Sequence, residues 1–223
     1  ARTLHHFGAV ITFLYFALHL SSTLSNFWKH RGFLRDPETG KFAFARIWVA
    51  MSHPDSMIPT KQDLKDFIDH NKWFFGKGPK PQFDRWTYFE KFDYLAVFWG
   101  VFAIGVSGLI LWFPGFFTQF LPGWALNAAY IIHSDEALLA TGFIFLFHFF
   151  HTHLRPESFP MDPVIFTGSM PLHRFKEERP IEYQRLVDSG ELEKYLVDPP
   201  SAAKLTAAKI LGFTLIVIGL TLL

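Results

Sequence analysis

Four histidines set inside apolar stretches carry the chemistry this sequence offers. His133 and His148 lie near the two ends of residues 131–156, IIHSDEALLATGFIFLFHFFHTHLRP. His5 and His19 lie within residues 3–28, TLHHFGAVITFLYFALHLSSTLSNFW. Ionisable side chains inside an apolar span are costly and are functional suspects by default. His133 and His148 are 15 residues apart, about 22 Å on a helix rising 1.5 Å per residue. His5 and His19 are 14 apart; at 100° per residue that is about 40° short of four turns, one shared face and about 21 Å. His6 is the alternative to His5, but it lies about 140° away from His19. Two pairs at matched depth, His5 with His133 and His19 with His148, are what two bis-histidine b-type haems stacked across a bilayer require. Such a haem takes an axial imidazole on each side of its iron and no cysteine. The second nitrogen of each ring then needs a hydrogen-bond acceptor.

Other residues group around these four. A porphyrin between helices needs a low wall, and Gly8 and Gly142, close to His5 and His148, supply one; glycine in spans also serves plain helix packing. Asp135 and Glu136 follow His133 directly and are expected to face water at the helix mouth. The sharper reading makes them proton acceptors for a quinol, which gives up two protons with its two electrons, or hydrogen-bond partners of the ligating histidines. At the other end His153 and Arg155 are placed to meet haem propionates or a quinone headgroup, with His151 beside them. His30, His53, His70 and His173 are expected to be solvated. Structural zinc wants four nitrogen or sulfur ligands at one point, whereas these histidines are a membrane thickness apart. Neither a Ser-His-Asp arrangement nor a P-loop or dinucleotide fingerprint is present, and no residue stands out as catalytic.

The elements that must hold these residues are membrane helices. Half the residues are hydrophobic, with 28 Phe and 7 Trp, too apolar and aromatic for a soluble domain. There is no Cys, which excludes disulfides, iron–sulfur ligation and covalent haem attachment. A net charge of +1 gives no sign of a nucleic-acid partner. Neither an initiator Met nor a signal-peptide pattern opens the chain, and Ala1 abuts a span, so a processed or further N-terminal part is expected. Spans are expected over residues 3–28, 92–117, 126–153 and 204–223. Trp112–Phe113–Pro114 closes the second at a membrane interface, and the short link after it makes the second and third spans antiparallel neighbours. Polar loops cover 29–91 and 157–203. Within the first, residues 59–75 read as an amphipathic helix on the membrane surface, with Thr60 as N-cap and Leu64, Phe67 and Ile68 on one face. The expected fold is all-α, a single-domain transmembrane four-helix bundle with one soluble face.

Charge gives an orientation. Of the 21 Lys and Arg, only Arg2 lies outside the two polar loops and the helix ends adjoining them. The positive-inside rule makes the loop side cytoplasmic and the Ala1 side periplasmic. His5 and His133 then sit toward the periplasm, His19 and His148 toward the cytoplasm.

Several stretches also carry a resemblance. FDRWTYFEKFDYLAVFWG (83–100), SGLILWFP (107–114), HSDEALLATGFIFLFHFF (133–150), THLRPESFPMD (152–162) and FTGSM…EERPIEY (166–183) are similar to the prokaryotic di-haem cytochrome b family. That group includes cytochrome b561-like subunits and the gamma subunit of formate dehydrogenase. The match covers nearly the whole chain, to about residue 196. The resemblance implies electron transfer between a quinone pool and a partner subunit of a respiratory complex in a prokaryotic inner membrane. The implied partner is a multihaem cytochrome c or an iron–sulfur dehydrogenase subunit. The implied cofactors are two haem b, with menaquinone or ubiquinone as the diffusing carrier. By position, Leu4–His5–His6 matches the start of the family's ligand-bearing helix, and His133 and His148 match the ligands of the later helix. His19 matches the second histidine of the branch that works with multihaem partners; the formate dehydrogenase gamma branch takes that ligand from a preceding helix. The alternative reading is a haem-free membrane anchor that docks a dehydrogenase or multihaem cytochrome. It keeps the apolar helices but has no use for four depth-matched histidines. A transporter is a poorer reading, because it wants ionisable groups near mid-membrane.

Overall fold

The structure is a computed structural model and describes residues 2–156, 159 and 161–221. Among the described residues it contains helices and no strand beyond an isolated bridge between Arg35 and Phe42. In chain order the helices are α1 (Arg2–His30), α2 (Ala45–Met51), α3 (Lys61–Phe74), α4 (Tyr88–Trp112), α5 (Pro114–Phe117), α6 (Trp124–Phe143), α7 (Val164–Thr167), α8 (Leu172–Glu178), α9 (Pro180–Asp188), α10 (Leu192–Tyr195) and α11 (Ala202–Thr221). Helix α6 runs on through two π-helical stretches, Ile144–His148 and Phe150–Leu154.

Among the described residues, four helical stretches are long and apolar enough to cross a membrane: Arg2–Lys29, Tyr88–Trp112, Trp124–Leu154 and Ala202–Thr221. Their apolar side chains stay largely uncovered; Leu18 is 71 %, Leu138 77 % and Leu146 71 % exposed. Surface of that kind and extent belongs against lipid rather than water. The last two residues of the fourth expected span lie outside the described residues. Helix α3 starts at Lys61, one residue after the expected cap Thr60, and leaves Leu64, Phe67 and Ile68 exposed.

The second span begins four residues earlier than expected, and the cause is a capping box. Thr87 and Glu90 satisfy each other's termini: the Thr87 N–H and hydroxyl donate to Glu90 Oε2 at 2.8 and 2.9 Å, and the Glu90 N–H donates to Thr87 Oγ1 at 3.3 Å. Its end also comes early, at Trp112. Phe113 precedes a proline and sits at φ −121°, ψ 56°, off the helical region as the pyrrolidine ring demands.

The chain forms two compact units, residues 1–60 with 91–138 and residues 61–90 with 139–223. In the first, α1 packs antiparallel to α4 through contacts at several depths. His6 stacks on Trp112 with centroids 4.1 Å apart, Phe16 meets Phe98 at 5.2 Å, and Tyr94 lies beside His19 at 5.8 Å. Glycine permits the close approach: a Cβ on Gly105 would stand 3.0 Å from the Phe13 ring.

In the second unit the loop before α4 is tied to α9 by ion pairs. Asp84 takes Arg185 at 3.0 Å, Glu182 takes Arg85 at 3.3 Å, and Arg179 donates to Glu90. The Ile181 N–H adds a bond to the Phe83 carbonyl at 3.2 Å. Arg174 grips Asp162 with both terminal nitrogens, at 3.0 and 2.6 Å, and also bonds Glu178. The Asp162 carboxyl is pushed up by burial, yet the Arg174 hydrogen bonds, the Val164 N–H and the Arg174 charge outweigh that and hold it below the usual carboxylate range. Helix α11 docks here through Gly212, where a Cβ would meet Met161 Sδ at 2.8 Å.

His70 corrects an expectation. It is half-buried rather than solvated, bonded to the Tyr88 hydroxyl at 3.1 Å and ringed by Trp73 and Phe83. Burial, with the Lys80 charge, pushes its imidazole below its ordinary value. His53 and His173 are exposed as expected, and the side chain of His30 lies outside the described residues.

Candidate functional site

The first unit brings His5 and His133 together. Their ring centroids are 5.9 Å apart and their planes nearly perpendicular, at 85°. His133 reaches this position because α6 packs against a notch in α4. Gly108 forms the notch: a Cβ there would stand 3.0 Å from His133 Cε1 and 3.4 Å from Nδ1. Ser107, only 3 % exposed, lines it.

The hydrogen bonds at the notch fix the His133 tautomer. Nδ1 lies 3.0 Å from the Ile104 carbonyl oxygen and 3.2 Å from Ser107 Oγ. A carbonyl cannot donate, so Nδ1 must carry the proton and share it between the two oxygens. The Ser107 hydroxyl proton is spent elsewhere, on the Ala103 carbonyl at 2.6 Å. Neutral His133 therefore keeps its lone pair on Nε2, the arrangement in which a backbone carbonyl orients a metal-ligating imidazole.

His19 is held differently. Its Nε2 is 3.1 Å from the Tyr94 hydroxyl, and Phe98 flanks the ring at 5.9 Å. His6 is occupied by its stack on Trp112, which leaves His5 as the member of the pair facing His133. Glu136 turns toward α4, its Oε1 3.8 Å from where a Cβ on Gly100 would lie, and is half-covered; Asp135 is exposed. Of the two acids, only Asp135 has the open setting expected at a helix mouth.

His148 belongs to the second unit, on the π-helical continuation of α6. Such wide turns occur mostly as local bulges and are frequent at functional sites. The same continuation carries His151, stacked flat on Phe89 with centroids 4.4 Å apart, and His153, whose Nδ1 is buried without a hydrogen-bond partner among the described residues. Arg155 donates to the His151 carbonyl at 3.0 Å and lies 3.8 Å from Glu178. An anion at Arg155 would thus share it with a carboxylate. His19 and His148 fall in separate units, and each is described only within its own.

No family model, no curated protein and no solved structure matches this chain. The case for a cofactor therefore stands on these residues. Two imidazoles on one metal at about 2.0–2.1 Å per bond put their nitrogens about 4 Å apart and their ring centres about 6 Å apart. The His5–His133 spacing of 5.9 Å fits that gap. Among the described residues the hydrogen bonds of His133 are on Nδ1, and a Cβ on Gly8, in the same unit, would meet nothing within 4 Å; Gly142, equally open, lies in the second unit with His148. The spacing of His5 and His133 fits two imidazoles on one metal.

Reading the sequence alone missed Ser107, Gly108, the Ile104 carbonyl and Tyr94. A signal for the first three existed. His133 is nine residues into α6, and Ile104 is eight from the end of α4, so counting both ways from the turn puts them at one depth. Tyr94 offered no comparable mark.

Proposed function

We propose that the chain is a di-haem membrane cytochrome b subunit. It would pass electrons across a prokaryotic inner membrane between a quinone pool and a partner redox subunit, either a multihaem cytochrome c or an iron–sulfur dehydrogenase. His5 and His133 would hold one haem, and His19 and His148 the other by their sequence spacing. The polar loops would face the cytoplasm, as the distribution of Lys and Arg suggests.

The observation that carries this reading is the His133 notch. There the His133 Nδ1–H is held by the Ile104 carbonyl while the ring of a second imidazole, His5, stands 5.9 Å away, which supports the reading of the two as a ligand pair. Bound haem would supply one-electron chemistry, with its potential set by its ligands, their hydrogen bonds and their burial. The protein's part is positional. Ser107 and the Ile104 carbonyl hold the His133 proton on Nδ1, and Gly108 lets the ring seat against α4. Quinone sites at Asp135 and Glu136, or at His153 and Arg155, complete the proposal.

A reduced-minus-oxidised spectrum of the purified protein tests it. A b-type α-band, diminished in His133→Ala, is the expected result. A spectrum without that band returns the chain to the haem-free anchor reading.

A further inference from the structure

We infer that residues 27–49 form a foot at the end of α1 that binds the phosphate headgroups of an anionic lipid leaflet. The inference concerns the chain's own membrane contact and stands whether or not haem binds.

The foot is a small fold built directly onto a span. The apolar stretch of α1 ends at Lys29, and the chain passes at once into a 3-10 turn, Arg31–Leu34. The Ala43 N–H donates to the Leu34 carbonyl at 3.0 Å and the Asp36 N–H to the Lys41 carbonyl at 2.8 Å, so the segment between them doubles back. Arg46 Nε donates to the Phe33 carbonyl at 2.7 Å and ties α2 to the turn. Leu34 is pinned in the fold, only 6 % exposed.

Two features of this foot have no use inside the chain. Its aromatic side chains lie uncovered: Phe42, Phe44 and Trp48 are 63, 73 and 65 % exposed. Its cations lack carboxylates. Residues 29–49 hold five Lys and Arg against two acids. Among the described residues no carboxylate stands within ion-pair distance of Lys29, Arg31, Arg35, Lys41 or Arg46. Asp36 spends Oδ1 on the N–H groups of Glu38 and Thr39 and on the Thr39 hydroxyl, at 3.0, 2.8 and 3.1 Å. The arginines of the second unit differ, since Arg85, Arg174, Arg179 and Arg185 all have acidic partners.

One occupant satisfies both features. A chain leaving a bilayer crosses the headgroup layer, where aromatic rings settle at the interface and Lys and Arg meet lipid phosphate. An acidic protein would match the charge as well. The foot starts where the span stops, however, so lipid headgroups reach it first.

The test uses the full chain in a nonionic detergent. Each protein is paired with its own Trp48→Phe variant, so that the difference in fluorescence reports Trp48 alone. Brominated phosphatidylglycerol or brominated phosphatidylcholine is titrated in as the quencher. Both are expected to quench Trp48, phosphatidylglycerol at the lower concentration. The side chains of Arg35 and Lys41 are exposed and make no hydrogen bond among the described residues. Arg35→Gln and Lys41→Gln should each weaken phosphatidylglycerol about two- to fivefold and leave phosphatidylcholine unchanged, which also shows that the foot is still folded. Trp48 quenched by neither lipid would hold the foot off the membrane, as an acidic protein partner requires, and would overturn the inference. Equal affinity for the two lipids in wild type, a phosphatidylglycerol affinity untouched in both variants, or an equal loss for both lipids would overturn it too.

Discussion

Substituting Gly108 by alanine probes the His133 notch with a single methyl group. The added Cβ would lie 3.0 Å from His133 Cε1, where ordinary contact begins near 3.4 Å. The imidazole cannot simply retreat, because its Nδ1 is anchored at 3.0 Å to Ile104 and 3.2 Å to Ser107. Overpacking of this kind costs about 1–3 kcal/mol. Against it stands the helical preference of alanine over glycine, worth about 1 kcal/mol. A second glycine removes that complication. Gly8 is also helical, but a Cβ there meets nothing, so Gly8→Ala collects the propensity gain without the clash. Haem-free Gly108→Ala should therefore be less stable than haem-free Gly8→Ala by about 1–3 kcal/mol, the overpacking term alone. Thermal or denaturant unfolding in one detergent measures the difference. Gly108→Ala should also bind less haem than wild type, because the ring it displaces is a proposed ligand. Equal stability of the two variants, with full haem content in Gly108→Ala, would refute the notch as the feature that seats His133.

Further consequences follow from the polar contacts. Ser107→Ala should shift the midpoint potential of one haem and spare the other, while Ser107→Thr, which keeps the hydroxyl, should stay near wild type; redox titration distinguishes them. Thr87→Ala removes the capping box of α4 and should cost about 1 kcal/mol in unfolding free energy with no change in haem spectrum. Asp162→Ala strips Arg174 of its bidentate partner and should destabilise the second unit by about 3 kcal/mol, near the low end for a broken buried pair because Glu178 still pairs Arg174. The same residue makes that unit acid-sensitive. Its carboxyl is held below the ordinary value, so its stabilising contribution is present above the unfolded-state value near 3.9 and fades as pH falls through the lower folded one. An acid-unfolding transition near or below pH 4 is expected to be blunted in Asp162→Asn.

What the sequence made legible follows the strength of each signal. Spans were readable because 20-residue apolar runs have few alternatives, and His5 was separated from His6 by helical phase alone. Their ends were misplaced where local chemistry decided them. Thr87 and Glu90 start α4 inside a stretch that reads as polar loop, and the proline after Phe113 stops it early. Asp84, Arg85, Arg179 and Glu182 lie in the motifs that carry the family resemblance. In the structure they pair with one another or with neighbouring side chains of their unit. Those letters thus have a structural task of their own, visible only once the loop before α4 and helix α9 are folded together. The Tyr94–His19 bond depends on the lateral register of two helices 75 residues apart in sequence, which periodicity does not encode.

The central claim is that His5 and His133 ligate the same haem. Haem per chain, measured on His5→Ala, His133→Ala and the double variant, tests it directly. The account predicts two in the wild type and one in all three variants, because each removes a ligand from a single shared site. Two haems retained in His133→Ala, or a further loss in the double variant beyond either single one, would contradict it.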